Sequence, residues 1–256
     1  MSVYNGAAWV RETVESVLAQ TAPDLELIVI DDGSTDATPD LLAAFRDRRL
    51  RVERQTRAGL TRSLNRALRL TTAPLVARMD ADDVALPERF ARQLAFLETH
   101  PDVGLLGTGC HEISSSGEVL RTIIPPADDS AIRRALIRAN PFVHSSIVMR
   151  REALEAAGGY DEGLPVAQDY DLWLRMSRVT RLANLPEPLV LRRLTPGRVS
   201  SARDTDRLRA EVTVKLRALR SRTYPAWCAV YLVKPLLALA VPAGLRGLLR
   251  RGFALG

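Results

Sequence analysis

The sequence predicts an α/β fold, a mostly parallel sheet with helices on both faces, followed by a basic helical tail. Three observations carry this prediction. Buried-strand runs alternate with helical periodicity from Leu25 to Thr108. Two of the runs end in carboxylates, Asp31-Asp32 after Leu25–Ile30 and Asp80-Ala81-Asp82-Asp83 after Leu75–Ala77. Turn and helix-start residues follow each cluster, Gly33 with Pro39 and then Pro87, which is the punctuation of β-to-α connections.

In chain order, Trp9, Val10, Thr13, Val14, Val17 and Leu18 form a helical stripe. The strand at 25–30 turns at Gly33, where Ser34, Thr35 or Asp36 can cap a helix from Thr38 to Phe45. A strand at Leu50–Glu53, a helix at Thr61–Leu70 and the strand into Asp80 come next. Phe90, Leu94 and Leu97 mark another helix, and Val103–Thr108 another buried strand. The second half is less regular, with strands near 118–124 and 145–149 between short helices. No internal repeat or low-complexity linker interrupts the chain.

Three carboxylates within four positions repel one another, and a bound cation is the natural remedy. Strand ends of this kind hold divalent metals together with the phosphates they bridge. The plainer alternative is an acidic loop capping the helix after Pro87. At the first cluster, capping accounts for Ser34 and Thr35 but leaves Asp31 and Asp32 unexplained.

The chain resembles glycosyltransferase family 2, the inverting nucleotide-sugar transferases of GT-A fold, through pieces that occur in the family's order. These are Ser2-Val3-Tyr4-Asn5-Gly6, Glu15 to Thr21, Asp31 to Asp36, Gly59-Leu60 with Leu64-Asn65, and Ala77 to Asp83 with Leu86 to Arg89. Later come Asn140-Pro141-Phe142-Val143-His144, Gly158-Gly159-Tyr160-Asp161 and Gln168-Asp169-Tyr170-Asp171-Leu172-Trp173-Leu174-Arg175. Each piece is weak alone; the ordered set covers roughly residues 1–200.

The resemblance implies a GT-A, Rossmann-like domain over 1–202 that moves a sugar from a nucleoside-diphosphate donor, UDP-linked by expectation, to a hydroxyl of a saccharide or lipid-linked acceptor. Bacterial surface polysaccharide or glycolipid assembly is the implied setting. Asp80 and Asp82 would form the Asp-x-Asp element for Mg²⁺ or Mn²⁺, with Asp82 the direct ligand and Asp80 nearer the ribose. Asp32 would accept from the nucleobase with help from Asp31, Tyr4 would lie against the base, and Arg62 would reach the nucleotide. Asp169 would be the catalytic base, its plainer role being a helix cap.

Three departures stand out. The family has a full apolar strand before the Tyr-Asn-Gly turn, so the first strand here is expected to be truncated. Gln168 stands where a glutamate usually precedes the base, and Thr195 where relatives commonly carry histidine. Arg192, Arg193 or Arg198 could replace that histidine at the phosphates. His144 matches a family histidine, with a structural role the default.

Composition sets the remaining limits. The 256 residues are 46% hydrophobic and 26% charged, ordinary for one large core. Cys110 and Cys228 suit neither a metal spacing nor a disulfide framework, and a cytoplasmic location fits them. Residues 203–256 hold 11 Lys and Arg against 3 acids, while residues 1–202 hold 25 against 27. That basic extension lacks the interleaved aromatics of single-strand binders, which argues against nucleic acid. Residues 226–245 are apolar but broken by Lys234, Pro235 and Pro242, so they suit the membrane surface better than a span. Peripheral contact through 224–256 at the inner face of the plasma membrane is the expectation, with Arg246, Arg250 and Arg251 adding charge; homodimer packing or a core helix is the alternative. Among rival classes, a sugar nucleotidyltransferase lacks its Gly-rich basic loop, and a phospho-acceptor receiver domain would be shorter and leave Asp169 idle. A non-catalytic nucleotide-sugar-binding scaffold is the alternative that stays open.

Overall fold

The computed structural model describes residues 1–164, 166–195 and 204–241. Ser2–Val3 (β1), Leu27–Asp31 (β2) and Leu50–Arg54 (β3) form a parallel sheet with β2 at its centre. All five residues of β2 are buried, which explains its unbroken apolar run: a central parallel strand is covered on both faces. Val10–Leu18 (α1), Thr38–Ala43 (α2) and Leu60–Leu70 (α3) surround it. α1 buries Val10, Thr13, Val14 and Val17, the stripe expected from their spacing.

The first strand is short, as expected: β1 pairs with β2 only at Ser2 with Ile30 and Val3 with Asp31. A single parallel bridge, Ser2 to Asp80, joins this sheet to the second acidic loop. An apolar cavity of about 210 Å³ lies between Leu25–Ile28 and Leu75–Met79, with Met1 in its lining.

The second sheet contains Leu75–Ala77 (β4), Val84–Ala85 (β5), Val103–Ile113 (β6), Val119–Ile123 (β7), Val148–Arg150 (β8) and Arg181–Arg193 (β9). Its order is β4-β8-β6-β9-β5, with β7 also on β6. Only β6 and β9 pair in parallel here. The α/β class stands: the first sheet is wholly parallel, and the second is mixed around the long parallel β6–β9 ladder. A short connection accounts for one antiparallel pair: β6 returns as β7 through a turn closed at Gly117, φ +89°, and so tight a link permits only antiparallel pairing. The others join strands distant in sequence.

Arg89–Thr99 (α4), Asp129–Leu136 (α5), Arg151–Ala156 (α6) and Gln168–Met176 (α7) complete this half. The largest apolar cluster packs Leu105, Ile132, Leu136, Phe142, Ile147 and Met149 against Tyr170, Leu172 and Trp173. Ala210, Val214 and Ala218 of Asp204–Arg220 (α8) enter the same cluster, so the first tail helix is fixed to the body by burial. A 3₁₀ turn at Ala226–Leu232 and the short helix Val233–Ala240 (α9) follow. No helix among the described residues is long and apolar enough to cross a membrane. Arg198, Pro242, Arg246, Arg250 and Arg251 lie outside the described residues.

Candidate active site

The end of β2 presents Asp31 and Asp32, both buried. Asp31 Oδ1 accepts from Ser34 N at 2.9 Å, while Arg54 Nε approaches its Oδ2 at 3.4 Å. Asp32 accepts from Ala58 N and Gly59 N, each at 2.8 Å, and from Gln55 Nε2 at 2.7 Å. Burial alone would raise its pKa, but these donors and Ser63 together hold it below the usual carboxylate value. Gly33 is required at the turn: its φ is +78°, and a Cβ there would meet Arg57 N at 2.8 Å. Tyr4 lies beside this loop with the Arg57 guanidinium 3.8 Å above its ring centroid and 3.1 Å from its hydroxyl.

The second acidic loop is tied down from two sides. The buried Arg78 forms an ion pair with Asp80. Ser145 Oγ donates to Asp80 Oδ2 at 2.9 Å, hydrogen-bonds to Asp83 Oδ2, and accepts from Asp80 N at 3.2 Å. Burial works against the charged form of Asp80, yet Arg78 keeps its pKa well below the ordinary value. Asp83 is pushed up to about 7 by burial and by the neighbouring Asp80 and Asp82. On the other side, Arg193 N donates to Asp83 Oδ1 at 2.8 Å, and its Nε to Asp82 O at 3.1 Å. The Arg193 guanidinium also pairs with Glu12 at 2.7 Å and stacks 4.1 Å from the Trp9 ring centroid.

Asp169 stands in the first turn of α7, after Ala167 in the left-handed region at φ +58°. Asn140 Nδ2 donates to its Oδ2 at 2.8 Å. Burial raises the pKa of Asp169, partly offset by the Tyr170 amide and Arg78. Nearby, His144 Nε2 is 3.1 Å from the Tyr160 hydroxyl, and its ring lies edge-on to Tyr160 and Trp173 at 5.9 and 6.0 Å. Burial and then Arg78 lower the His144 pKa to about 3, so the ring is neutral near pH 7.

Arg78 is the common neighbour: its charge is felt by Asp80, Asp83, His144, Tyr160 and Asp169. The base candidate and the second acidic loop therefore share one electrostatic environment, and β1 links that loop to the Asp31–Asp32 turn. Arg62 sits on α3 with its side chain toward Glu162 at 3.4 Å. Arg192 pairs with Glu112, and Arg193 is buried against Glu12 and the loop backbone, so both expected phosphate partners already have carboxylates. Thr195 follows β9 at the end of a described stretch. Sequence reasoning missed Arg57, Arg78, Ser145 and Asn140 as a partner of Asp169, and it expected Arg193 at the phosphates, where the structure sets it on the Asp82–Asp83 loop. An arginine inside the Ala77-Arg78-Met79 strand end was a usable signal; nothing local marked Arg193 as a partner of Asp83, 110 residues away.

The acidic loop offers hard oxygen donors to a divalent cation. Both Asp80 oxygens have protein partners, and no group of three ligating side chains occurs among the described residues. Such a donor set fits Mg²⁺ or Mn²⁺ held by one or two carboxylates plus substrate phosphates, rather than an all-protein cage.

The β2 terminus that turns on Gly33, the second acidic loop and the half-buried Asp169 are a constellation compatible with a nucleotide-sugar site of GT-A type. Residues 1–158 match the family described as Glycosyl transferase family 2, and the chain belongs to that family. The amylovoran biosynthesis glycosyltransferase AmsE of Erwinia amylovora is 32% identical over 206 residues, covering 79% of this chain and 77% of AmsE. The fold matches S. aureus TarS 1-349 in complex with UDP-GlcNAc, with TM-score 0.71 and 21% identity over 92% of this chain and 70% of that one. It also matches the mannosyltransferase PcManGT of Pyrobaculum calidifontis in complex with GDP-Man and Mn²⁺, with TM-score 0.63 and 23% identity over 99% of this chain and 78% of that one.

Proposed function

We propose that this glycosyltransferase transfers a sugar, with inversion, from a UDP-linked donor to a hydroxyl of a saccharide or lipid-linked acceptor in surface polysaccharide or glycolipid assembly. The observation that carries the reading is Asp169, a carboxylate with a raised pKa, oriented by Asn140 in the same electrostatic environment as the Asp80 loop. Direct displacement needs one base. Asp169 takes the acceptor hydroxyl proton, the oxygen attacks the anomeric carbon, and the nucleoside diphosphate departs from the opposite face. A divalent cation held by Asp82, with Asp80 beside it, would supply Lewis-acid stabilisation of the diphosphate.

Asp32 would accept from a nucleobase N–H in competition with its own donors Ala58, Gly59, Gln55 and Ser63, with Asp31 fixing the turn. Tyr4 offers its ring to the base once Arg57 swings aside, and Arg62 would need to leave Glu162 to touch the nucleotide. Residues 1–202 would carry the chemistry and, within the 203–256 extension, 224–256 the peripheral contact with the inner face of the plasma membrane. The names of AmsE and of the TarS complex with UDP-GlcNAc support the pathway class and the donor class.

The test is calorimetric binding of a nucleotide-sugar panel with Mn²⁺, Mg²⁺ or EDTA, alongside donor hydrolysis. Metal-dependent binding of one donor, lost in Asp82→Ala, is expected; Asp169→Asn should bind that donor and not turn it over. A folded protein that binds no nucleotide-sugar overturns the reading. One that binds a donor but catalyses neither hydrolysis nor transfer to any acceptor is the non-catalytic scaffold.

A further inference from the structure

The last described elements show a face that the body of the protein leaves open. Trp227 is 67% exposed and Leu237 65%, and Val230, Val233 and Leu236 are each about half exposed or more. Cys228, Leu232 and Pro235 are buried instead. Positions 227, 230, 233, 234 and 237 recur at helical spacing and form one outward stripe. Its footing is firm. The buried Lys215 on α8 donates Nζ to Tyr231 O at 3.2 Å and to Arg138 O at 2.8 Å, and Arg138 Nε donates to the Tyr231 hydroxyl at 3.1 Å.

The charge beside this stripe is mainly positive, the nearby Glu211 carboxylate being paired with Lys215 at 2.8 Å. Lys234 lies within it, the Arg138 guanidinium sits 5.4 Å from the Tyr231 ring centroid, and Arg220 and Arg222 lead into the turn. From Val212 to the end of the sequence there are 8 Lys and Arg and no Asp or Glu.

We propose that the Trp227–Leu237 face docks on the surface of a bilayer containing anionic phospholipid. Trp227 and Tyr231 are amphipathic rings of the kind that settle at headgroup depth. Val230, Val233, Leu236 and Leu237 enter the acyl boundary, while the stem of Lys234 lies along the apolar surface and its ammonium reaches phosphate. Charge selects this occupant over a second copy of the chain. A two-fold contact would set this basic face against itself with no carboxylate from the same segment to pair. Anionic lipid turns the same charges into attraction. The docking deepens the membrane contact proposed above for 224–256 by giving it residues and a lipid class, and it is independent of the transfer chemistry. Its consequence, that the acceptor is met at a membrane, rests on the glycosyltransferase reading.

The experiment is flotation of the full chain with vesicles of phosphatidylcholine alone or with about a third phosphatidylglycerol, in low and high salt. Binding to the anionic vesicles is expected, roughly 10-fold or more weaker on neutral vesicles or in high salt. The double variant Trp227→Ser with Leu237→Ser should bind at least about 10-fold more weakly at unchanged melting temperature, since both side chains are exposed. Failure of the folded protein to float with anionic vesicles, or equal flotation of the double variant, overturns the proposal. So does a wild-type dimer that the variant dissociates while neither floats. Nucleotide-sugar binding measured on the same samples separates the two readings: flotation without donor binding sinks the transferase proposal and leaves the docking intact.

Discussion

Asn140 donates a 2.8 Å hydrogen bond to Asp169 Oδ2 across 29 residues of sequence, and this bond orients the carboxylate. A donor to a carboxylate favours its charged form, so losing it raises the pKa further. Asn140→Ala should lower kcat about 10- to 100-fold, as the loss of one hydrogen bond to a charged group implies, with little change in donor KM. A base must be deprotonated to act, so the acid limb of the kcat/KM–pH profile should move to higher pH in the variant. Kinetics across pH check both; an unshifted limb would show that Asn140 only packs.

Ser145 is the one side chain that hydrogen-bonds to both Asp80 and Asp83 among the described residues. Ser145→Ala removes the hydroxyl that bridges the partly exposed Asp80 and the buried Asp83, a loss of about 1–3 kcal/mol. The expected results are a lower melting temperature and weaker donor binding in the presence of metal. Ser145→Thr, which keeps the hydroxyl, should recover part of the binding. Thermal melts and calorimetry on both variants decide this.

His144 gives a signed pH dependence. Its folded pKa is lowered to about 3 by burial and then Arg78, against about 6.5 when unfolded. Above pH 6.5 both states are neutral and the residue adds no slope. Between 6.5 and 3 the unfolded chain binds the extra proton, so stability falls as pH falls, by at most about 1.4 kcal/mol per pH unit. His144→Gln should flatten the decline of melting temperature between pH 6 and pH 4. Parallel slopes for variant and wild type would place the acid lability elsewhere.

Gly33→Ala forces a side chain into φ +78° with backbone at 2.8 Å. A destabilisation of about 1–3 kcal/mol is expected from that strain. Because Arg57 N is the atom struck, the Tyr4–Arg57 stack and the Ala58 amide on Asp32 should shift with it. Donor binding should weaken more than for Gly117→Ala, another positive-φ glycine with nothing within 4 Å of its Cβ position. Unfolding and binding curves for the two variants, run together, isolate the effect at the site.

Local chemistry settled the larger part of this protein in advance. The all-apolar run Leu27–Ile30 could only be a strand covered on both faces, and carboxylates at its end, followed by glycine, had to lie at a turn on the sheet edge. The ordered motifs then pointed to the family, and α1 and α3 fell near their expected bounds because their apolar spacing is strongly periodic. Tertiary structure alone decided the rest. The mixed pairing of the second sheet depends on which distant strands β6 and β9 meet, and short-range periodicity carries no such information. Arg193 lies 110 residues from Asp83 yet holds its loop, and Arg78 becomes the shared counter-charge because folding brings Asp80, His144 and Asp169 around it. Residue types and strand ends are written in local order; partners, burial and the resulting pKa shifts arise only when segments far apart in the chain exclude water together.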